Sequence, residues 1–371
     1  MSSFGLQAKQ AQGGWGSSNS VASVLRWRRF FIAALCCLVL WTTVASTTAL
    51  IGEPVVDPET VFRALATELG LIDPGSVEDA TVFVITQIRL PRIVLATMAG
   101  LALGIVGLLL QAGFNNPVAD PSLLGISQAA AFAVAVTLLF PNLVPLSPVL
   151  ACLIGSAVAG GILVVLAGRL QDPIRLILVG VIVGMFISTL TTVLLLLADP
   201  ATHTEFFSTL MRFTTGSISG ADWQTVAQIG PWVLILLPIA FGCGRLINVI
   251  ALGDESAAGL GLSVTRARAV VLGVSLALLA PVVAVTGPIA FVALLSPHVA
   301  RRLISTTNAW QTLPLSALVG ATTVTAADAI GRLAAFPIEV PAGLFTILVA
   351  GPVAITLAKS SITTRRSRNK T

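Results

Sequence analysis

The sequence predicts an all-α, polytopic membrane protein of about ten transmembrane helices, with both termini in the cytoplasm. First, 56% of the 371 residues are hydrophobic and only 10% are charged, whereas a soluble domain has about a quarter charged residues. Second, apolar stretches recur at about the 20-residue length that crosses a bilayer as a helix. Third, Lys and Arg are concentrated in alternate connections between those stretches. A transmembrane β-barrel would instead show short segments of alternating hydrophobicity.

Ten apolar segments follow one another, and each ends at proline, glycine or polar residues. In chain order they cover about 29–51, 91–113, 122–140, 147–168, 174–198, 224–247, 267–286, 288–298, 312–331 and 341–358. The first is too long for a signal-peptide core and is expected to remain as an uncleaved helix. The eighth is too short to span fully. We divide the chain into a disordered cytoplasmic tail (1–25), a single transmembrane permease domain (26–360) and a basic cytoplasmic tail (361–371).

The positive charges predict the orientation. With the N-terminus in the cytoplasm, 16 of the 21 Lys and Arg residues fall on the cytoplasmic side. The five external ones are Arg63, Arg89, Arg92, Arg212 and Arg332. Cytoplasmic connections of membrane proteins carry an excess of Lys and Arg, so the N-in, C-in arrangement with an even number of spans is favoured.

Composition also argues against several classes of function. The formal charge of +5 and the pI of about 9.6 are explained by charges that orient a membrane protein, so no nucleic-acid partner is expected. The four cysteines lie in apolar segments without metal-ligand spacing, and the two histidines are far apart, so no metal site is expected. No His, Cys, Ser or carboxylate constellation supports a membrane enzyme.

The stretch RLPRIVLATMAG (89–100) places Arg89 and Arg92 at the external edge of the second segment. The preceding external connection is acidic. One interpretation is that the arginines extend to the membrane interface or pair with those acids. The other is that they form a docking surface for an acidic external partner. The glycines at 100, 104 and 107 are spaced as on a close-packing helix face.

The stretch GLLLQAGFNNPVADPSLLGIS (107–127) carries Gln111, Asn115, Asn116 and Asp120 at the cytoplasmic end of the second segment. Such polar groups are costly in a membrane unless they pair or line a wet path. Pro117 and Pro121 interrupt the helix. A broken helix is tolerated where it is buried in protein or lines a cavity, although a simple cytoplasmic turn would give the same pattern.

The stretch ALGDESAAGLGLSVTRARA (251–269) predicts a short cytoplasmic helix between the sixth and seventh segments. Asp254 and Glu255 lie early in that helix, where its dipole favours acidic residues. Leu260 is expected to be exposed on one face, as in a docking element, although an ordinary loop helix remains an alternative.

Five stretches of the sequence resemble, in the same order, the FecCD-type permease family of ABC importers. They are 89–127, 211–223, 252–261 (LGDESAAGLG), 287–303 (GPIAFVALLSPHVARRL) and 328–353. That family transports ferric siderophores, haem and cobalamin. The resemblance covers about residues 30–360. It implies an inverted internal repeat of segments two to five and seven to ten, and a path along the interface with a second permease subunit, identical or related. The implied partners also include a cytoplasmic ABC ATPase dimer, an external substrate-binding protein and membrane lipid.

The resemblance also implies roles for individual residues. Those matching the binding-protein docking surface are Arg89, Arg92 and Arg332. Asn116 and Val118 match the cytoplasmic gate, with valine in place of the usual leucine. Those matching the ATPase-coupling helix are Gly253, Asp254, Glu255, Ala257, Leu260 and Gly261. Apart from the resemblance, the polar and proline residues at the end of the second segment are assigned to the pathway or to the helix break, namely Gln111, Pro117, Asp120 and Pro121.

We therefore expect a permease subunit of an ATP-driven importer in the cell inner (plasma) membrane, with a ferric siderophore as its first candidate substrate. Haem or cobalamin is the alternative within the family. A stand-alone secondary transporter is the alternative from another class, and the coupling segment argues against it. The chain has no phosphate-binding GxxxxGK[ST] loop, so it is not expected to be an enzyme. It is expected to bind no cofactor, with ATP and magnesium on the partner ATPase.

Overall fold

A computed structural model describes residues 4–50, 56–71, 78–169, 173–197, 215–334, 339–349 and 351–352. Over these ranges the regular structure is helical, without a strand. Six helices of the described chain have the length and apolar composition needed to cross a bilayer. Two shorter apolar helices, Ile126–Leu139 and Pro148–Leu163, accompany them. The chain is a multi-pass helical membrane protein, as the sequence predicts.

The helices have the following bounds in chain order. They are α1 (Phe4–Leu50), α2 (Pro58–Glu68), α3 (Asp79–Phe83), α4 (Leu90–Gly113), α5 (Ile126–Leu139), α6 (Pro148–Arg169), α7 (Pro173–Leu197), α8 (Trp223–Gly242), α9 (Gly244–Ile250), α10 (Asp254–Gly259), α11 (Val264–Thr286), α12 (Val292–Ile304) and α13 (Ala309–Ala334). A π-helical segment, Val84–Arg89, leads into α4. Residues 342–349 form a further helix, and part of the tenth predicted segment lies outside the described residues.

The N-terminal region differs from the prediction. Helix α1 begins at Phe4, so residues 4–25 are helical where a disordered tail is predicted. These residues are continuous with a long apolar helix, and extending an existing helix is far less costly than nucleating a new one. The C-terminal tail (361–371) lies outside the described residues, and the division into tails and one permease domain stays a prediction.

Helix α4 lies at the centre of the bundle and packs against α11, α12 and α13. Its glycines make this packing possible. A Cβ atom on Gly100 or Gly104 would overlap the backbone of α13, and one on Gly107 would overlap the carbonyl oxygen of Ala293 in α12. The Ser316 hydroxyl donates to the Gly104 carbonyl at 2.7 Å. The close-packing face predicted for these glycines is confirmed.

The third and eighth predicted segments start in a similar way. Helix α5 follows Gly125 (φ 73°), and α12 follows Phe291 (φ 65°), so both first turns are entered from a left-handed residue. Each helix also packs against the next one along the chain, α5 on α6 and α12 on α13. This correspondence agrees with an internal repeat in which the two segments are equivalent.

Candidate functional site

The external end of α4 is tied to α13 by a buried ion pair. Arg92 lies in the first turn of α4 and is 7% exposed. Its Nε donates to Asp328 Oδ2 at 2.9 Å, and its Nη2 donates to Oδ1 at 2.9 Å. Its Nη1 reaches Glu339 Oε1 at 2.8 Å. One guanidinium therefore binds two carboxylates, of which Asp328 is buried and Glu339 is partly exposed.

The other two arginines assigned to docking bind the end of α1. Arg89 Nη1 donates to the Ala49 carbonyl at 2.7 Å. Arg332 Nη2 donates to the Thr48 carbonyl at 2.9 Å. The last carbonyls of a helix lack intrahelical partners and carry its negative dipole end. Arg89 and Arg332 therefore stabilise the C-terminus of α1 against the rest of the bundle.

The contacts of Arg92 and Asp328 show which partners these buried charges have. The acids that pair with Arg92 are Asp328 in α13 and Glu339 beyond the end of that helix, and no described residue of the first external connection forms an ion pair with it. Asp328 pairs with Arg92, 236 residues away, rather than with Arg332 four positions later. Sequence reasoning did not select Asp328 or Glu339 as functional, although a carboxylate inside an apolar helix is itself a signal of a specific partner. Contact with a binding protein stays a prediction for all three arginines.

On the cytoplasmic side, Asp120 connects the break after α4 to the start of α12. Residues 114–125 form turns between α4 and α5, so the predicted interruption at Pro117 and Pro121 is confirmed. Asp120 Oδ2 accepts from the Leu294 amide at 2.9 Å, and Oδ1 accepts from the Ser122 amide at 2.9 Å and from its hydroxyl. Burial raises the pKa of the Asp120 carboxyl, while these hydrogen bonds act to lower it.

Gln111 binds the same short helix from α4. Its Oε1 accepts from Arg301 Nη2, and its Nε2 donates to the Leu294 carbonyl at 3.4 Å. Arg301, which sequence reasoning did not select, also donates to the Pro297 carbonyl at 3.1 Å. Gln111 and Asp120 thus share one structural partner, α12. In this structure their polar groups are satisfied by protein, so a pathway role stays a prediction.

The two gate candidates are neighbours but differ in burial. Asn116 is buried, and its Oδ1 accepts from the Val118 amide at 3.1 Å within the turn. Val118 is partly exposed. Asn116 therefore holds the turn that presents Val118. In this conformation Val118 is the more accessible of the two for closing a path, and the gate role of the pair stays a prediction.

The predicted short helix between the sixth and seventh segments is confirmed as α10. Gly253 (φ 95°) and Gly261 (φ 81°) flank it with backbone conformations that favour glycine. Ala257 is buried, and Asp254 Oδ1 accepts from Arg268 Nη2 at 2.8 Å, which ties the helix to α11. Glu255 is exposed, and Leu260 is 67% exposed. The result is a short helix fixed to α11, with the exposed side chain of Leu260 directly after its C-terminus.

Comparison with known proteins adds to this geometry. A profile of the FecCD transport family matches residues 31–360. The Fe(3+)-citrate import system permease protein YfmE of Bacillus subtilis is 33% identical over 338 residues, 90% of this chain and 96% of that protein. The Fe(3+) dicitrate transport system permease protein FecC of Escherichia coli is 36% identical, with 77% of this chain and 86% of that protein covered. A solved structure is described as an inward-facing conformation of a metal-chelate type ABC transporter. The match covers 88% of this chain and 98% of that one, with 24% sequence identity and a TM-score of 0.71. The two chains therefore share a fold.

Proposed function

Because the chain belongs to the FecCD transport family, we propose that it is the permease subunit of an ATP-driven ABC importer for a metal chelate. A ferric siderophore or ferric citrate is the first candidate substrate. The observation that carries this proposal is the pair of relatives that are 33% and 36% identical and are named for Fe(3+)-citrate import and Fe(3+) dicitrate transport. The importer operates in the inner (plasma) membrane with a second permease subunit, a cytoplasmic ATPase dimer and an external binding protein.

The ATPase is proposed to dock on α10. An exposed leucine directly after a short helix that is held in place by Arg268 and Ala257 suits insertion into a groove of a partner. Since α10 connects to α11 through only a few residues, a displacement of α10 is transmitted to the bundle. ATP and magnesium belong to that partner, and the permease itself supplies the two conformations whose populations the ATPase shifts.

Uptake in cells that lack this chain tests the substrate. Cells carrying the wild-type gene are expected to accumulate radiolabelled iron from ferric citrate or from one of a panel of ferric siderophores. Leu260→Glu is expected to abolish this uptake at an unchanged membrane level. The matched control is Leu69→Glu, which changes an equally exposed leucine on the external side and is expected to leave uptake unchanged.

Several results would contradict the proposal. Restored uptake of haem or cobalamin alone would exclude ferric siderophores and ferric citrate as substrates while keeping the importer. Uptake driven by the proton gradient, in a purified chain that carries no ATPase, would identify a secondary transporter. Normal uptake by the Leu260→Glu variant would remove the proposed docking site from α10.

The external docking surface needs a different comparison, because its arginines also stabilise the fold. Arg92→Glu and Asp328→Asn both disrupt the buried ion pair, but only the first reverses a charge that an acidic binding protein would contact. If the docking proposal is correct, importer that carries Arg92→Glu and is shown to be folded loses binding-protein association, whereas equally folded importer that carries Asp328→Asn retains it. Equal losses in both variants would mean that Arg92 acts only inside the permease.

A further inference from the structure

An apolar cavity between α1, α12 and α13 has no part in the proposed transport function. Its volume is about 550 Å³, within the range of about 300–1,000 Å³ typical of ligand sites. Its walls include Cys36 and Leu40 from α1, Leu303 from α12 and Thr322 from α13. Among the described residues that line it, Arg29 alone is charged. The cavity is therefore amphipathic, with the Arg29 guanidinium at one end and apolar walls elsewhere.

The aromatic residues around Arg29 indicate its depth in the membrane. The ring centroids of Trp27 and Phe30 lie 5.6 Å apart, and those of Phe30 and Phe31 lie 5.4 Å apart. Tryptophan side chains such as that of Trp27 are enriched at the level of the lipid headgroups. Leu40 follows Arg29 by eleven positions, or about 16 Å along a helix. Because the hydrocarbon core is about 30 Å thick, the cavity extends through about one leaflet.

The charges around the cavity favour an anionic occupant. The chain has no Asp or Glu before Glu53, and none between Glu255 and Asp328. Consequently α1 and α12 carry no carboxylate. Arg29 forms no ion pair with any residue that the structure describes. It is exposed on the cytoplasmic side, where the leaflet contains anionic lipids that attract Lys and Arg.

From these observations we infer that the cavity binds an anionic phospholipid of the cytoplasmic leaflet. Its phosphate binds the Arg29 guanidinium, and one acyl chain lies along the apolar wall towards Leu40. The lipid thereby fills the space between α1 and the α12–α13 pair. A second copy of this chain is a poorer occupant, because a two-fold symmetric contact through this face would bring Arg28 and Arg29 towards the same positive charges of the partner.

Native mass spectrometry of the purified full-length importer tests the headgroup contact. The probes are phosphatidylglycerol and phosphatidylcholine with identical acyl chains. Wild-type protein is expected to bind one phosphatidylglycerol at least tenfold more tightly than phosphatidylcholine. Arg29→Gln is expected to weaken phosphatidylglycerol binding about tenfold, equivalent to about 1.4 kcal/mol. The matched control, Arg28→Gln, removes an exposed arginine that does not line the cavity and is expected to bind like the wild type.

A second pair of variants tests the acyl-chain contact without changing charge. Cys36→Trp places a large side chain in the cavity, while Leu35→Trp places the same side chain at an exposed position outside it. Only Cys36→Trp should lower phosphatidylglycerol binding. Equal binding of the two lipids by wild-type protein, or wild-type affinity in both Arg29→Gln and Cys36→Trp, would overturn the inference. A disulfide between Cys36 residues of two copies in oxidised membranes would also overturn it, because a second copy would then occupy the cavity.

Discussion

Replacing Arg92 by methionine is expected to destabilise the fold strongly, because it leaves the Asp328 carboxylate buried without its partner. Arg92 donates through Nε and Nη2 to both oxygens of Asp328, and the Asp328 side chain is 3% exposed. Removing one partner of a buried ion pair costs about 3–5 kcal/mol. At about 1.4 kcal/mol per factor of ten, the unfolding equilibrium constant should rise between roughly a hundredfold and a few thousandfold.

A double variant tests whether the loss of stability comes from leaving one buried charge without its partner. When both members of a buried pair are replaced by apolar residues of similar volume, the cost is often small. Arg92→Met with Asp328→Leu is therefore expected to be more stable than either single variant. The free energy of unfolding is measured for all four proteins in mixed detergent micelles, which completes a double-mutant cycle.

The matched control is Arg63→Ala, which removes an ion pair with Glu59 whose side chains are 50% and 73% exposed. An exposed helical pair of this type contributes about 0.3–0.5 kcal/mol. The reasoning is refuted if Arg92→Met costs no more than Arg63→Ala. It is also refuted if the effects of the Arg92 and Asp328 replacements simply add.

Two further predictions concern packing and helix capping. Gly107→Ala should cost about 1–3 kcal/mol and lower the amount of protein in the membrane, because its Cβ would overlap the Ala293 carbonyl oxygen. Asp222→Ala should cost about 1 kcal/mol at pH 6, since Asp222 Oδ1 accepts from the Thr225 amide at 2.7 Å at the start of α8. The hydrogen bonds from Thr225 lower the pKa of Asp222. Its contribution is therefore complete above the unfolded-state pKa and decreases as the pH falls through the folded-state pKa, so the variant should differ less from wild type near pH 3.

Each of these predictions has a control in the same chain. Gly161→Ala adds a Cβ where no atom lies within 4 Å, so it should not destabilise α6. A loss equal to that of Gly107→Ala would show that helix–helix contact is not the cause. Asp222→Asn keeps an oxygen acceptor without a titrating group, so its stability relative to wild type should change little at pH 6. A cost of Asp222→Ala that is independent of pH would contradict the role of the carboxylate.

The predicted segments agree with the helices because hydropathy is a property of consecutive residues. A helix in lipid satisfies its backbone hydrogen bonds internally, so composition and length largely decide where it forms. Prolines and glycines likewise mark the break at 114–125 and the flanks of α10. The helical conformation of residues 4–25 was not predicted, because this stretch contains Gly and Ser, which favour a helix only weakly. In the structure these residues continue the apolar helix that follows them.

The sequence by itself determined the membrane class, the positions of the apolar segments, the glycine face of α4 and the short helix with exposed Leu260. These follow from local composition and from periodicity along the chain. Only the tertiary structure decided that Arg92 pairs with Asp328, and that Asp120 reaches the Leu294 amide 174 residues later. It also decided that Arg89 and Arg332 bind the end of α1. The physical reason is that a buried charge must find a partner in space, and its nearest neighbours in space are set by helix packing rather than by position in the sequence.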